Sequence, residues 1–326
     1  MPKTAVIIPN YNGIKYLKAC LNSLKRQSVS DFDIIVVDND STDGSAYIIE
    51  KEYPEIKLIK MTENLGFSAA VNAGIKACRK HDYVILLNND TVAGVHFVEE
   101  LERCIEKDER IFSCQAKMLR NDQPKLLDDG GDFYCALGWA FARGKDRPAS
   151  SLREDTDIFY SCAGAAIYRV SILKEIGIFD DRQFAYLEDC DIGWRARIHG
   201  YRNVFASRSV VKHVGSASSG SRHNEFKVKN SAPNSIYIIY KNMPILQIII
   251  NIPFLLAGFL IKTLFFTVKG LGVVYVKGLR KGFSMCLNIK NRGRKVRFAG
   301  KNFRYYLKIQ LELWINTLRK VIFLFK

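Results

Sequence analysis

Asparagine and aspartate recur directly after four short apolar, β-branched runs of the chain: Asn10 and Asn12, then Asp38, Asn39 and Asp40, then Asn64, then Asn88, Asn89 and Asp90. Each alone reads as a turn or helix cap, because short amide and carboxylate side chains commonly bond to nearby backbone groups. Four such groups at the carboxyl ends of strands in one sheet form a ligand-binding edge. Their chemistry suits the base edge and ribose hydroxyls of a nucleoside. No Gly-x-Gly-x-x-Gly follows the first run, and no Gly-x-x-x-x-Gly-Lys-Ser/Thr loop exists to cradle phosphates. A bound diphosphate therefore needs another counter-charge, and a divalent cation is the obvious one. Asp90 is the leading carboxylate for it, the alternative being a cap for a helix over about 95–108. His213, in "VVKHVGSASSG" at the end of a strand, is the second candidate, although a lone histidine is more often structural. A carboxylate and imidazole pair favours Mn²⁺ while still admitting Mg²⁺.

A second acidic group, Glu188, Asp189 and Asp191, lies in "FAYLEDCDIGWRARIHGYR" and opens a helix expected over 187–199. Acids there complement the helix dipole, and Asp191 can pair with Arg195 at i,i+4, with little further role expected. Transfer to a hydroxyl needs a base beside the acceptor oxygen, and Asp189 follows an aromatic segment able to floor a sugar pocket. Spacing alone does not separate Asp189 from Glu188.

The elements that must position these groups follow from periodicity. Strands are expected at 4–8, 33–38, 56–60 and 83–88, with helices at about 14–27, 43–53 and 67–80 between them. That alternation implies an α/β fold with a doubly wound, mostly parallel sheet. Residues 121–160, with "DDGGDFY" and "ARGKDRP", show weak periodicity and read as an irregular, acceptor-side segment. Regular structure resumes at "AGAAIYR", with a further strand near 201–206. The chain is expected to divide into a catalytic domain at 1–240, with a nucleotide-binding half at 1–120 and an acceptor half at 121–240, and a tail at 241–326.

The tail differs in charge. Residues 1–240 hold 32 Lys+Arg against 32 Asp+Glu, whereas 241–326 hold 17 against 1. A neutral head with a basic tail argues against a nucleic-acid binder and for contact with phospholipid headgroups. "ILQIIINIPFLLAGFLI" (245–261) is apolar apart from Gln247 and Asn251, somewhat short of the ~20 residues a spanning helix needs, and basic residues flank both sides. Shallow insertion is the favoured reading over spanning. Phe303, Leu307, Leu311, Trp314, Leu318, Ile322 and Phe325 recur at helical steps among basic residues, giving a basic amphipathic helix that, beside the apolar run and the basic excess, is expected on a membrane rather than packed on the catalytic domain. The 8 cysteines show no metal-ligand spacing and read as reduced thiols. No secretory signal is visible before "TAVIIP", so the catalytic part is expected at the cytoplasmic face of the plasma membrane.

The segments "VIIPNYNG" (6–13), "VVDNDSTDGS" (36–45), "NLGFSAAVNAGI" (64–75), "LLNNDT" (86–91), "GAAIYRVSILKEIGIFDD" (164–181), "YLEDCDIGWRARIHGYR" (186–202) and "HVGSASSG" (213–220) resemble, in this order, glycosyltransferase family 2, inverting enzymes of the GT-A fold. The last three resemble its rhamnosyltransferase-type branch. The resemblance implies a nucleotide-sugar site built from Pro9, Asn10, Tyr11, Asn12, Asp38, Asp40, Asn64, Gly66, Asn72, Asn88, Asn89 and Asp90. It further implies that Asp38 contacts base and ribose, that Asp90 ends the family's metal motif, that His213 joins it on the metal, and that Asp189 is the base. Asn88 stands where the motif has its first acid. The Gln-x-x-Arg-Trp motif of processive members is absent, so single-sugar transfer is expected. The implied substrates are a thymidine or uridine diphosphate sugar, rhamnose first, and a lipid-linked saccharide of O-antigen or other polysaccharide. Two rivals are an inactive scaffold subunit and a nucleotidyltransferase; the latter needs a triphosphate loop that "VIIPNYNG" does not provide.

Overall fold

A computed structural model describes residues 2–215 and 224–324. The "SASSG" part of the 213–220 motif and Phe325 fall outside them. In chain order the elements are β1 (Thr4–Asn10), α1 (Ile14–Leu24), β2 (Phe32–Asp38), α2 (Ser45–Glu52), β3 (Lys57–Lys60), α3 (Phe67–Ala77), β4 (Tyr83–Leu87), β5 (Thr91–Ala93), α4 (Phe97–Ile105), β6 (Ile111–Arg120), β7 (Leu127–Asp129), β8 (Asp132–Cys135), β9 (Trp139–Ala142), β10 (Thr156–Ile158), β11 (Ala165–Arg169), α5 (Val170–Ile176), α6 (Glu188–Ile198), β12 (Arg202–His213), α7 (Glu225–Asn242), α8 (Ile245–Val268), α9 (Gly272–Leu287), α10 (Ile289–Arg292) and α11 (Phe303–Leu324).

The main sheet runs β10-β12-β6-β11-β4-β1-β2-β3, with β5 paired to β12 and β7 to β6. Its first-half strands β4, β1, β2 and β3 are parallel, as the alternating pattern predicts. β11 enters antiparallel between β4 and β6, which brings the second half of the chain onto the same sheet. Apolar side chains on its two faces form separate cores, one under α1 and α4 and one under α3 and α5. Burial of these near-continuous Val, Ile and Leu runs supplies the driving force and sets the register, because a one-residue slip would exchange the faces.

One expectation needs correction. Residues 121–160 are not merely irregular: four short strands, β7, β8, β9 and β10, lie within them. Strands of three or four residues are too short to show an alternation. The division at residue 240 falls in the last turn of α7, and one buried core crosses it, joining Tyr134, Phe159 and Trp194 to Ile239, Leu255, Ile309 and Leu313.

The tail helices are docked onto the catalytic part. α11 lies on β8: Asn316 donates to the Tyr134 carbonyl at 2.9 Å, and the Ala136 amide donates to the Leu313 carbonyl and Thr317 hydroxyl. Arg197 of α6 pairs with Glu312, the tail's one acid. The apolar stripe of Phe303, Leu307, Leu311, Trp314, Leu318 and Ile322 faces outward, the reverse of a helix packed by that stripe. α8 is long and apolar enough to cross a membrane. It is fixed at its middle, where Trp139 donates to the Gly258 carbonyl and a Cβ at Gly258 would meet the Leu137 carbonyl at 2.0 Å.

Candidate active site

The strand-end amides do not all point at a ligand. Asn10, buried, donates to Asp38 at 2.9 Å and to Ser45 at 2.9 Å, and accepts from Asn89 at 2.7 Å. Asp38 also accepts from the Ser41 amide at 3.0 Å. This chain of bonds ties the ends of β4, β1 and β2 together. Gly13 makes room for it, since a Cβ there would meet Asn89 Nδ2 at 2.0 Å. Asn39 bonds Asn64 at 2.9 Å and the Leu65 amide, which fixes the turn before α3. Gly66 in that turn has φ of +87° and would clash with the Phe184 carbonyl if it carried a Cβ, so glycine is required on both counts.

Asn72 departs from the expectation of a sugar contact. Its amide donates to the Phe179 carbonyl and accepts from the Phe179 amide, at 2.9 and 3.1 Å, so it clamps the chain ahead of α6. Open at the crevice are Tyr11, Asn12 and Asp40, the last two in the left-handed region at φ 49° and 65°. Pro9 and Asn64 are half-buried beside them, and half-buried Asn88 packs over Gly164.

Asp90 and His213 meet. β12 pairs with β5, setting His213 opposite Thr91, and His213 Nε2 lies 3.3 Å from Asp90 Oδ1. The other ring nitrogen, Nδ1, is 2.7 Å from Asp128 of β7, and Asp128 also pairs with Lys145. A carboxylate behind the ring fixes the direction of Nε2, the arrangement by which metal-binding histidines are usually oriented. Burial alone would depress the imidazole, but Asp128 and Asp90 outweigh it and hold its pKa at about 9. Asp128 itself, despite burial, is held well below the usual carboxylate range by His213 and Lys145.

The neighbouring residue behaves oppositely. Successive side chains of a strand point to opposite faces, so Asp129 turns away from His213 into the protein. It accepts from Gln115 at 2.9 Å and from the Gly131 amide at 2.8 Å. Its carboxylate oxygen and those of Asp132 and the Cys162 sulfur lie within 4.8 Å of one another. Burial pushes Asp129 up to about 6 and Asp132 well above the carboxylate range, with repulsion from neighbouring carboxylates adding to the shift.

Asp189 completes this second group. It sits in the first turn of α6, behind two consecutive non-glycine residues in the left-handed region, Tyr186 and Leu187, both at φ 71°. Each such residue costs about 1 kcal/mol or more. Asn234 of α7 holds the turn by donating to the carbonyls of Ala185 and Tyr186 at 3.1 and 2.8 Å. Asp189 accepts from the Cys190 amide at 2.8 Å and faces the Ala163 amide at 3.5 Å. The residue is half-buried, and burial of its carboxyl, with Asp129 nearby, raises its pKa to about 6. Glu188 is buried with an unbonded Oε2 and is pushed well above the usual range by burial and by Asp189.

Asp191 does more than pair with Arg195 at 3.1 Å. Fully buried, it also accepts from Lys241 at 2.8 Å and Asn242 at 2.9 Å, while Lys241 reaches Asp180 at 2.7 Å. This ionic cluster locks α6 to the end of α7. Asp128, Asp129 and Asp132 were missed as site residues by sequence reasoning, although "DDGGD" carried the signal as an acidic run beside a glycine turn.

The model of the family described as "Glycosyl transferase family 2" matches residues 5–177, more than half of the chain. The chain belongs to glycosyltransferase family 2. The match includes Asp90 and ends before Asp189 and His213. Among relatives, an N-acetylglucosaminyl-diphospho-decaprenol L-rhamnosyltransferase of Mycobacterium tuberculosis is 26% identical over 239 residues, 66% of this chain and 77% of that protein. Glycosyltransferase GlyA of Streptococcus pneumoniae is 37% identical over 135 residues, 40% of this chain but only 18% of its own length. The solved structure of GalNAc-T7 with UDP, GalNAc and Mn²⁺ superposes with a TM-score of 0.60 at 15% identity, over 74% of this chain and 48% of that one. The Staphylococcus aureus TarS fragment with UDP gives 0.52 at 17% identity, over 97% and 85%. The fold is of the GT-A type.

Proposed function

We propose that this family 2 glycosyltransferase is an inverting enzyme that moves one sugar, rhamnose first among candidates, from a thymidine or uridine diphosphate donor to a hydroxyl of a lipid-linked saccharide in polysaccharide or cell-wall assembly. The observation that carries the reading is that Asp90 meets His213 on one side of β7, while on the other Asp129 lies close enough to Asp189 to raise its pKa. One side holds charge for a diphosphate, and the other holds a base.

In this scheme Asp189 takes the proton from the acceptor hydroxyl as its oxygen bonds to the anomeric carbon. The bond from that carbon to the diphosphate oxygen breaks, and its electron pair leaves with the diphosphate. A base with a pKa of about 6 is ionised at neutral pH yet basic enough to accept the proton. Glu188 is less suited, because burial without a partner favours its neutral acid. Asp90 and His213 Nε2 fit a divalent metal that would displace the Nε2 proton: a hard carboxylate and an imidazole lie together, with Asp128 orienting the ring. They would hold Mn²⁺ or Mg²⁺, which supplies Lewis-acid neutralisation of the leaving group. The Mn²⁺ present with UDP in the GalNAc-T7 structure supports such a requirement here, and the mycobacterial rhamnosyltransferase, with its decaprenol diphosphate acceptor, supports rhamnose and a lipid diphosphate.

The tail would rest on an anionic membrane surface at the cytoplasmic face. Outward apolar residues on α8 and α11, such as Leu256, Leu260 and Leu318, all more than 60% exposed, make that contact, with 17 Lys+Arg against 1 acid in 241–326 beside them. Docking of the middle of α8 on β9 favours lying in the interface over spanning.

A donor screen tests the reading. Purified protein with thymidine, uridine and guanosine diphosphate sugars is followed for nucleotide diphosphate release with Mn²⁺, Mg²⁺ or chelator, with lipid-linked acceptors present. Metal-dependent release from one donor is the expected result. Silence across the panel would favour an inactive, scaffold-like subunit.

A further inference from the structure

The N-terminal ends of α8 and α11 run side by side, joined by reciprocal hydrogen bonds between Asn251 and Gln310 at 2.8 and 3.0 Å. Between them lies a groove of about 630 Å³, within the ~300–1,000 Å³ typical of small-ligand sites. Its walls are apolar, with Leu246, Ile250, Phe298, Phe303 and Leu307. Lys295 and Arg297 stand at its lip, and no carboxylate pairs with either among the described residues. An apolar slot with two unneutralised cations in its lining is complementary to a long hydrocarbon chain carrying a phosphate head.

The lip is tied to the catalytic helix. The Val296 amide donates to the Lys241 carbonyl at 2.9 Å, and Lys241 bonds Asp191, two residues beyond Asp189. Arg294, one residue before the lip, reaches Asp180 and Asp181 at 3.7 and 3.5 Å. The groove therefore holds a fixed position relative to the base, as a site for a substrate's lipid requires and a site for any passing membrane lipid does not.

We infer that this groove binds the polyprenyl chain of the acceptor, with its diphosphate at Lys295 and Arg297. The inference rests on the reading of a lipid-linked acceptor and adds where its lipid lies. Chain length then sets affinity, while the crevice at Asp189 reads the sugar.

The test uses the full chain in detergent micelles and native mass spectrometry with equal amounts of a polyprenyl diphosphate and phosphatidylglycerol. One polyprenyl diphosphate retained per chain, at least tenfold over phosphatidylglycerol, is expected. Ile250→Trp, which fills the groove at a partly exposed position, should reduce retention at least tenfold, and Arg297→Glu should do the same without adding bulk. Leu264→Trp, on the exposed length of α8 outside the groove, should leave it unchanged. Equal retention of the two lipids, or equal effects of Ile250→Trp and Leu264→Trp, overturns the assignment. Transfer assays separate this from the functional reading: an Ile250→Trp enzyme using long-chain acceptor as well as wild type sinks the groove alone. Selective lipid retention with no transfer to any acceptor supports the groove and sinks the transferase reading.

Discussion

Asp128 and Asp129 are joined by one peptide bond yet sit in opposite electrostatic worlds. Asp128 meets His213 and Lys145 and is held in its charged form. Asp129 accepts from Gln115 and the Gly131 amide, lies beside Asp132 and Asp189, and is pushed up to about 6. The strand pleat alone separates them. Burial disfavours charge on both sides, and a cation in direct contact decides which carboxylate stays ionised. The proposed reaction uses both outcomes: fixed charge where a diphosphate would leave, and a base of raised pKa, ionised at neutral pH, where a proton would arrive.

The largest effect that would break this comparison is loss of the base. Asp189→Asn should lower kcat about 10²–10⁴-fold, the usual contribution of a positioned general base. Nucleotide affinity, measured by calorimetry, should stay within a few-fold of wild type. The Lys241, Asp180 and Asp191 cluster sharpens the rule at a third place. Lys241→Met leaves two buried carboxylates without their shared cation and should cost about 3–5 kcal/mol in denaturant unfolding; a cost near zero would show that water reaches the cluster. Asp128→Asn removes the group that orients His213 and should weaken metal affinity about 10–100-fold with the fold intact.

The smallest effect concerns stability. Asp189 holds its proton more tightly in the folded state, up to about 6, than an ordinary carboxylate near 3.8. Below about pH 4 the group is protonated in both states and costs nothing. Between pH 4 and 6 the folded state loses stability as pH rises, and above 6 the penalty is constant. Asp189→Asn should therefore be more stable than wild type by about 1–2 kcal/mol at pH 8, discounted for its partial exposure, and by little at pH 4. Thermal unfolding at the two pH values measures this. In turnover, log kcat/KM should rise with pH to about 6 and then level off.

Much of this was legible in the sequence. The parallel strands and the turn residues after them follow from apolar runs and asparagine-rich turns, and the pairing of Asp90 with His213 needed only their positions at strand ends. Asp129 and Asp132 were hidden because β7 and β8 are too short to print a period. Asn72 misled because a buried amide looks the same in sequence whether it meets a sugar or the backbone of Phe179. α11 was legible in part. Its outward apolar stripe was visible, but the face that docks it was not, because inward Asn316 and Thr317 bond the backbone around β8 that an apolar face would leave unsatisfied.

The most direct test of the central claim is to follow nucleotide binding and sugar transfer together in Asp90→Asn and Asp189→Asn, with Mn²⁺ present. The account predicts that Asp90→Asn loses metal-dependent nucleotide binding and transfer alike, whereas Asp189→Asn keeps binding and loses transfer. An Asp189→Asn enzyme that transfers sugar at near the wild-type rate would contradict it.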